Sequence, residues 1–204
     1  MRQNRLFATC STLAVLLLSG CAHVPENIDL QNDRGHAVMG LDYRDFDLAA
    51  SQMVQSALAS GTLKKPDGGR YVMATGKVVN DTMQRIDTDQ LMAKIEEELM
   101  NSGQVVMTSA IGAGDATDDM VYEARELRKS DEFDAGTLAP KGRLVAPDLS
   151  VSGKIIQRDV FYDKRTRQVE YYFQLRITNL RTGLRFWQKE TLIGKRGSNK
   201  SVSW

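Results

Sequence analysis

The 204-residue chain is poor in the side chains that most often perform chemistry. It has two cysteines, Cys10 and Cys21, and two histidines, His23 and His36. All four lie near the N-terminus, which excludes a disulfide framework or a cysteine-based metal site in the body of the protein. Any chemistry in residues 40–204 would have to proceed without cysteine and without histidine.

A net charge of one sign is also missing. Twenty-seven Lys and Arg residues oppose 26 Asp and Glu residues, so the formal net charge is +1. Because a strongly basic chain would favour nucleic acid, we expect no nucleic-acid partner here. Contents of 42% hydrophobic and 26% charged residues are typical of a globular domain and fall outside the ranges that mark disorder or collagen.

The apolar run near the N-terminus is short. Two arginines among the first five residues precede the run 13–18, which is far shorter than the roughly 20 residues that span a bilayer. The pattern predicts a secretory signal peptide over residues 1–20. Its end, Leu18-Ser19-Gly20-Cys21, is similar to a bacterial lipobox, in which the thiol of Cys21 carries the lipid. A plain signal peptide cleaved nearby, or an uncleaved anchor, is the alternative.

The lipobox predicts where the protein resides. Several acyl chains on Cys21, each CH₂ adding roughly 0.8 kcal/mol of membrane affinity, would hold the chain firmly. Ala22, rather than Asp, follows the cysteine, which resembles an outer-membrane address in enterobacteria-like sorting. We therefore expect a protein anchored in the inner leaflet of the outer membrane, facing the periplasm. No cofactor is expected apart from the covalent lipid.

Residues 21–41 are polar and show no apolar periodicity, which predicts a lipidated cysteine followed by a flexible tether. Twenty such residues span at most about 70 Å when fully extended. His23 and His36 are candidate metal ligands, but flexible chain without helical spacing separates them. Solvated histidines are the favoured interpretation, and we expect no metal.

Residues 42–204 predict a single globular domain. The periodicity and capping residues predict three helices, from Asp42 or Asp45 to Ser60, from Asp87 or Thr88 to Asn101, and over about 118–129. Strands are predicted over 71–79, 105–109, 149–160, 169–180 and 184–193, with loops at 130–147 and 161–168 and a polar tail from residue 194. This order mixes crossover units with an antiparallel meander. It predicts an α/β fold with one mixed sheet flanked by helices.

Catalytic motifs are weak. The turn 112–117 lies between a strand and a helix as a dinucleotide loop would, but its third glycine position is Thr117 and no acidic residue closes a second strand. Residues 96–98 are three glutamates that wrap around a helix as a solvated face, and Asp87 and Asp89 lack a positioned partner. No serine lies in a nucleophile elbow. We therefore expect no catalytic residues and no enzyme.

Charge is segregated along the chain. Residues 22–150 hold 13 basic and 22 acidic residues, whereas residues 151–204 hold 12 basic and 4 acidic residues, a net charge of +8. Basic residues and aromatics occur together in the predicted loop 161–168, and interface centres are enriched in Arg and Tyr. The candidate partner-binding residues are Tyr162, Lys164, Arg165 and Arg167. The alternative is that basic side chains alternate outward as the solvated face of an antiparallel sheet.

Several segments together resemble the LpoB-type lipoproteins. The resemblance covers most of residues 42–196 and rests on Val79-Asn80-Asp81-Thr82, Ile86-Asp87, Leu91 to Leu99, Pro147 to Ile155 and Tyr172 to Trp187. Its most specific part is a strand, a Thr-Gly turn, and a strand that reaches a tryptophan.

The resemblance implies a non-catalytic activator of class A penicillin-binding proteins, the bifunctional peptidoglycan synthases. It implies an outer-membrane lipoprotein that binds a small regulatory domain of the synthase. The globular domain would resemble the N-terminal domain of TolB and act as a monomer. One departure is the tether, which has about twenty residues and a single proline, Pro25, where enterobacterial members have a long proline-rich linker. The alternative is a structural or export-related periplasmic lipoprotein resembling curli-secretion components, which would form a ring.

Overall fold

The computed structural model describes residues 38–198 and residue 200. Within them lie the helices α1 (Tyr43–Ala59), α2 (Thr88–Asn101) and α3 (Met120–Glu126), and the strands β1 (Tyr71–Asp81), β2 (Val105–Met107), β3 (Leu149–Phe161), β4 (Thr166–Asn179) and β5 (Arg185–Ser198). The strands form one sheet in the order β2-β1-β3-β4-β5. Strand β1 is parallel to β2 and β3, and the remaining pairs are antiparallel. The predicted α/β fold with a mixed sheet is confirmed.

The two long helices cover one face of this sheet. Helix α1 packs on α2 and β5, and α2 contacts β1 and β2. Alternate residues of β3 and β4 point into this layer and form the core, and they include Val151, Ile155, Tyr171, Phe173 and Ile177. Phe46 of α1 meets Phe173 edge to face at 6.2 Å between ring centroids. The residues between these core positions face the other side of the sheet, where they are half-buried or exposed.

Capping residues set the helix starts as predicted. The Asp42 carboxylate accepts the N–H groups of Arg44 and Asp45, and the Asp45 carboxylate accepts the Asp42 N–H at 2.8 Å. This reciprocal capping box starts α1. The Asp87 carboxylate accepts two N–H groups at the start of α2. A local side-chain signal therefore defines both helix starts.

The Thr-Gly turn between β4 and β5 also forms as predicted. The Asn179 side chain accepts the N–H groups of Arg181 and Thr182, both at 3.0 Å. Gly183 follows with a φ of 72°, a left-handed conformation that glycine adopts without a Cβ penalty. The turn joins the two strands of the long β4–β5 hairpin.

The C-terminal strands are longer than the sequence predicts. The predicted loop 161–168 is wrong at both ends, because β3 includes Phe161 and β4 begins at Thr166. The polar tail predicted from residue 194 instead continues β5 to Ser198. Apart from Lys195, which pairs with Asp45, the added residues are exposed or half-buried, so their polar composition resembles that of a loop.

Two other elements differ in extent. The strand predicted over 105–109 ends at Met107, and the helix predicted over 118–129 is α-helical over Met120–Glu126 with a 3₁₀ turn over Leu127–Lys129. The Asp118 carboxylate accepts the Met120 N–H at 2.9 Å near the helix start. None of the residues of α3 is buried, so little packing supports a longer helix.

The predicted signal peptide, Cys21, His23, His36 and residues 22–37 of the predicted tether lie outside the described residues. The chain before α1 contacts the domain from Met39, whose side chain belongs to the core. In the part that the structure describes, no helix has the length and apolar character needed to cross a bilayer.

Candidate functional site

The β3–β4 hairpin ends in a tight turn at residues 162–165. The Asp163 carboxylate accepts the N–H groups of Arg165 at 2.7 Å and Thr166 at 2.8 Å. The bond from Arg165, with the charge of Arg196 among the smaller contributions, holds the pKa of Asp163 below its ordinary value. Asp163 is therefore a carboxylate at neutral pH, and it stabilises the turn by accepting two of its N–H groups.

The structure brings the four predicted partner-binding residues to this hairpin tip, which we define as residues 161–167. Tyr162 is 52% exposed, and Lys164 and Arg165 are exposed in the turn. Arg167 is exposed on β4, where its register partner is Phe161 of β3. Phe161 is 79% exposed and adds a large apolar surface. Exposed aromatic and basic groups thus meet at one end of the sheet.

Arg196 on β5 is a member of this site that the sequence prediction missed. Its guanidinium lies 3.9 Å from the centroid of the Tyr162 ring, within the range of a cation–π interaction. It also donates to the Gln168 side-chain oxygen from Nη2 at 2.6 Å and from Nε at 3.2 Å. The sequence held no direct signal for it, because a register shift between Ile177 and Thr178 separates the Thr-Gly turn from the pairing of Gln168 with Arg196.

A hydrogen-bonded row continues from Arg196 across the face that α1 and α2 leave uncovered. The Gln168 amide donates to Glu170 at 2.7 Å, and the Tyr172 hydroxyl donates to Glu170 at 2.6 Å. The Arg158 guanidinium lies 5.3 Å from the Tyr172 ring centroid. We call these residues the open-face strip: Tyr162, Arg196, Gln168, Glu170, Tyr172 and Arg158.

The strip carries fixed charges at neutral pH. The hydrogen bond from Tyr172 holds the pKa of Glu170 below its ordinary value, and the same bond raises the pKa of Tyr172. Glu170 is therefore an anion between the cations Arg158 and Arg196, and Tyr172 is a neutral donor. Alternate residues of β4 and their neighbours on β3 and β5 hold these side chains on one face, so the strip is a pre-organised polar surface.

A cleft of about 760 Å³ lies between residues 65–67 and 179–182. Lys65 Nζ donates to Asp148 Oδ2 at 3.1 Å, and the Val72 N–H donates to the same oxygen at 3.2 Å. Burial disfavours the charged form of Asp148, but these two donors outweigh it and hold its pKa below the ordinary value. Lys65 and Asp148 in this cleft are thus already paired with each other within the fold.

The candidate catalytic groups have structural roles. Asp87 caps α2, and its carboxylate accepts the Asp89 N–H at 3.0 Å. The prediction of a solvated glutamate face is wrong for Glu96, which is half-buried and accepts the Thr75 hydroxyl, because α2 lies over β1. Over residues 38–198 and 200, His, Cys, Asp and Glu side chains form no group of three or more that could hold a metal ion.

Comparison with known proteins places the chain in a family. A family model described as peptidoglycan-synthase activator LpoB matches residues 45–193. A search of curated proteins finds no match.

Solved structures of LpoB proteins also match. The LpoB C-terminal domains from Escherichia coli and Salmonella enterica are 14% and 15% identical, and each alignment covers 73% of this chain and 98% of the other, with a TM-score of 0.42. The NMR structure of E. coli LpoB is 13% identical over 90% of this chain and 86% of the other, with a TM-score of 0.37. The family model covers more than half of the chain, which confirms the resemblance. The chain therefore belongs to the LpoB family of peptidoglycan-synthase activators.

Proposed function

We propose that this protein is an outer-membrane lipoprotein, anchored through lipid on Cys21, that binds and activates a class A penicillin-binding protein. Membership of an activator family supports the regulatory role. The sequence Leu18-Ser19-Gly20-Cys21 supports the anchor and the periplasmic orientation. The protein performs no reaction itself, and its effect on the synthase arises from binding.

The observation that carries the proposal is the concentration of exposed aromatic and basic groups at the hairpin tip. Phe161 and Tyr162 supply apolar surface that is exposed although it belongs to an ordered hairpin. Lys164, Arg165 and Arg167 surround it with positive charge. Aromatic and Arg side chains are the residues that most often dominate binding energy in protein interfaces.

The charge of the tip predicts the chemistry of the partner surface. A basic tip attracts an acidic patch over about one Debye length, which is about 8 Å at physiological ionic strength. Such steering raises the association rate more than it slows dissociation. We therefore infer that the synthase presents an acidic patch on a non-catalytic domain, and that association slows as salt rises.

Charge reversal at the tip tests the proposal. The lipidated mature chain in detergent is bound to a purified class A penicillin-binding protein at several salt concentrations, and glycan polymerisation is measured in parallel. Lys164→Glu with Arg165→Glu should reduce the association rate about tenfold or more and reduce the stimulation of polymerisation.

The matched control is Lys141→Glu with Arg143→Glu, which reverses two exposed cations in the loop between α3 and β3. This control should bind as the wild type does, and both double variants should have the wild-type melting temperature. If the tip variant associates as fast as the wild type at equal stability, the tip is only a solvated surface.

A further inference from the structure

Strand β5 forms a long edge of the sheet. It pairs with β4 in continuous register from Trp187 to Gly197, and we define residues 187–197 as the β5 edge. Strand β2, at the opposite edge, has three residues. Every second residue of an antiparallel edge strand directs its N–H and C=O groups away from the sheet. Among the described residues, none outside β4 makes a backbone hydrogen bond to the β5 edge.

Exposure also shows that the described part of the chain leaves this edge uncovered. On the face opposite the helices, β4 residues such as Gln174 are half-buried by strands on both sides, whereas Glu190 and Leu192 of β5 are exposed. Leu192 is 56% exposed. A Cβ atom added at Gly194 would meet no atom within 4 Å. There is therefore space beside and above the edge.

Two of the usual devices that protect an edge strand, proline and an internal bulge, are missing from the β5 edge, which keeps an exposed lysine, Lys189. Proline does not occur in residues 187–197, and the register shift lies before Trp187 rather than within the edge. Lys195 points to the helices, where its ammonium lies 2.7 Å from Asp45 and is largely buried. The Lys195 charge is therefore already paired within the fold, whereas Lys189 is exposed and leaves a positive charge for an incoming strand to meet.

The net positive charge of the β5 edge favours an acidic segment as its binding partner. Lys189 and Arg196 are exposed and outnumber Glu190, and residues 151–204 have a net charge of +8. A second copy of the chain would bring a second edge with the same net positive charge, which disfavours strand pairing. An acidic strand would find opposite charges together with an apolar contact at Leu192. The edge also adjoins the hairpin tip, because the Arg196 guanidinium lies 3.9 Å from the ring centroid of Tyr162.

We propose that the β5 edge receives an extended acidic segment of the synthase, which adds to the sheet as a sixth strand. Main-chain hydrogen bonds supply affinity in this mode of recognition, and alternate side chains supply specificity. The inference rests on the proposed function and adds the manner in which the partner binds. The tip would steer the synthase to the site, and the edge would hold it.

Amide hydrogen exchange of the mature chain, alone and bound to the synthase, tests the added strand. Exchange in the complex is quenched, and each amide is then read by NMR. Strand addition should slow exchange at least tenfold at alternate residues of the β5 edge, because only the outward N–H groups gain partners. Contact through side chains alone would not produce this alternation.

A pair of exposed leucines provides matched variants. Leu192→Glu places a negative charge where the acidic strand would lie and should weaken synthase binding about tenfold or more. Leu184→Glu makes the same change at a residue that is 63% exposed just before β5, and it should leave binding unchanged. Both variants should retain the wild-type melting temperature, since neither side chain is buried.

The outcomes separate this inference from the proposed function. If the synthase binds and is activated but the β5 amides exchange as before and Leu192→Glu binds normally, the added strand is wrong and the activator role stands. If the synthase does not bind the wild-type protein, the proposed function fails as well. If sedimentation shows a dimer without the synthase and the β5 amides are protected in it, the occupant that we propose is wrong.

Discussion

Tyr171 joins the core of the sheet to the chain that precedes α1. Its ring is fully buried on β4, its hydroxyl donates to the Met39 carbonyl at 3.1 Å, and it accepts the Gln84 amide. The Gln84 side-chain oxygen in turn accepts the Leu41 N–H at 3.1 Å. Burial, with the charges of Asp159 and Asp45, raises the pKa of Tyr171 to about 12. One hydroxyl therefore anchors the start of the domain.

Tyr171→Phe should lower the free energy of unfolding by about 1–3 kcal/mol, because the buried Met39 carbonyl loses its donor. The raised pKa also gives a sign for the pH dependence. The stability that the hydroxyl contributes is fully present below pH 10, the ordinary value, and is lost as pH rises to about 12. The free energy of unfolding, measured with urea between pH 8 and pH 11, should therefore fall more steeply for the wild type than for the variant. If the free energy of unfolding falls equally with pH in both proteins, ionisation of groups other than Tyr171 causes the loss of stability.

Cys21 is the residue on which the predicted anchor depends. Its thiol is the acceptor of lipid in the lipobox interpretation of residues 18–21. Cys21→Ala should abolish incorporation of labelled palmitate and block removal of the signal peptide at this site. Gel autoradiography of labelled cells measures both, with Cys10→Ala as the matched control that still incorporates lipid. Lipid on the Cys21→Ala variant would refute the lipobox.

At the scale of elements, the start of α1 is tied to the end of β5. The Asp42 carboxylate caps the helix and lies 3.9 Å from Lys195 Nζ, which also pairs with Asp45. Burial disfavours the charged form of Asp42, but the Arg44 side chain, the charge of Lys195 and the helix N–H groups outweigh it and lower the pKa. The carboxylates of Asp42 and Asp45 thus link the helix start to the edge strand through Lys195.

Asp42→Ala should lower the free energy of unfolding by about 1 kcal/mol, the ordinary loss for a helix cap. Asp47→Ala removes an exposed carboxylate of α1 that lies 3.8 Å from Lys94, and it should cost less than about 1 kcal/mol. Because the pKa of Asp42 is lowered in the folded protein, the stability that its carboxylate contributes is present above pH 3.8 and is lost as pH falls below that value. Urea denaturation at pH 7 and pH 3 measures both effects. Equal losses for the two variants would contradict the role of the cap.

Element starts were predictable where one side chain decides them. Asp42 and Asp87 cap helices by bonding N–H groups within three residues, so the sequence contains the whole signal. Thr166 and Gly194 join strands because of a partner strand far away in sequence, and their polar neighbours resemble a loop. Arg196 was missed for the same reason, since its role depends on cross-strand contacts with Tyr162 and Gln168.

At the scale of the whole molecule, the start of the domain lies near the tip. Met39 meets Tyr171, which lies five residues along β4 from Thr166, or roughly 17 Å at the rise of a strand. A tether that is at most about 70 Å long would therefore limit how far the tip can lie from the membrane. The synthase would have to bring its regulatory domain within that reach.

Limited proteolysis of the mature protein tests the tether. Residues 22–37 contain one tryptic site, after Arg34, and show no apolar periodicity, so trypsin should cut there first. The resistant core should retain Met39, because its side chain packs in the core and its carbonyl accepts the Tyr171 hydroxyl. Mass spectrometry of early time points identifies the first cut, and the exposed Arg143 serves as the internal reference for cleavage in a loop. Amides in residues 22–37 should also exchange without protection. If Arg34 resists trypsin while Arg143 is cut, or if these amides are protected, the segment is part of the fold, and the limit on reach must be recalculated from a shorter tether.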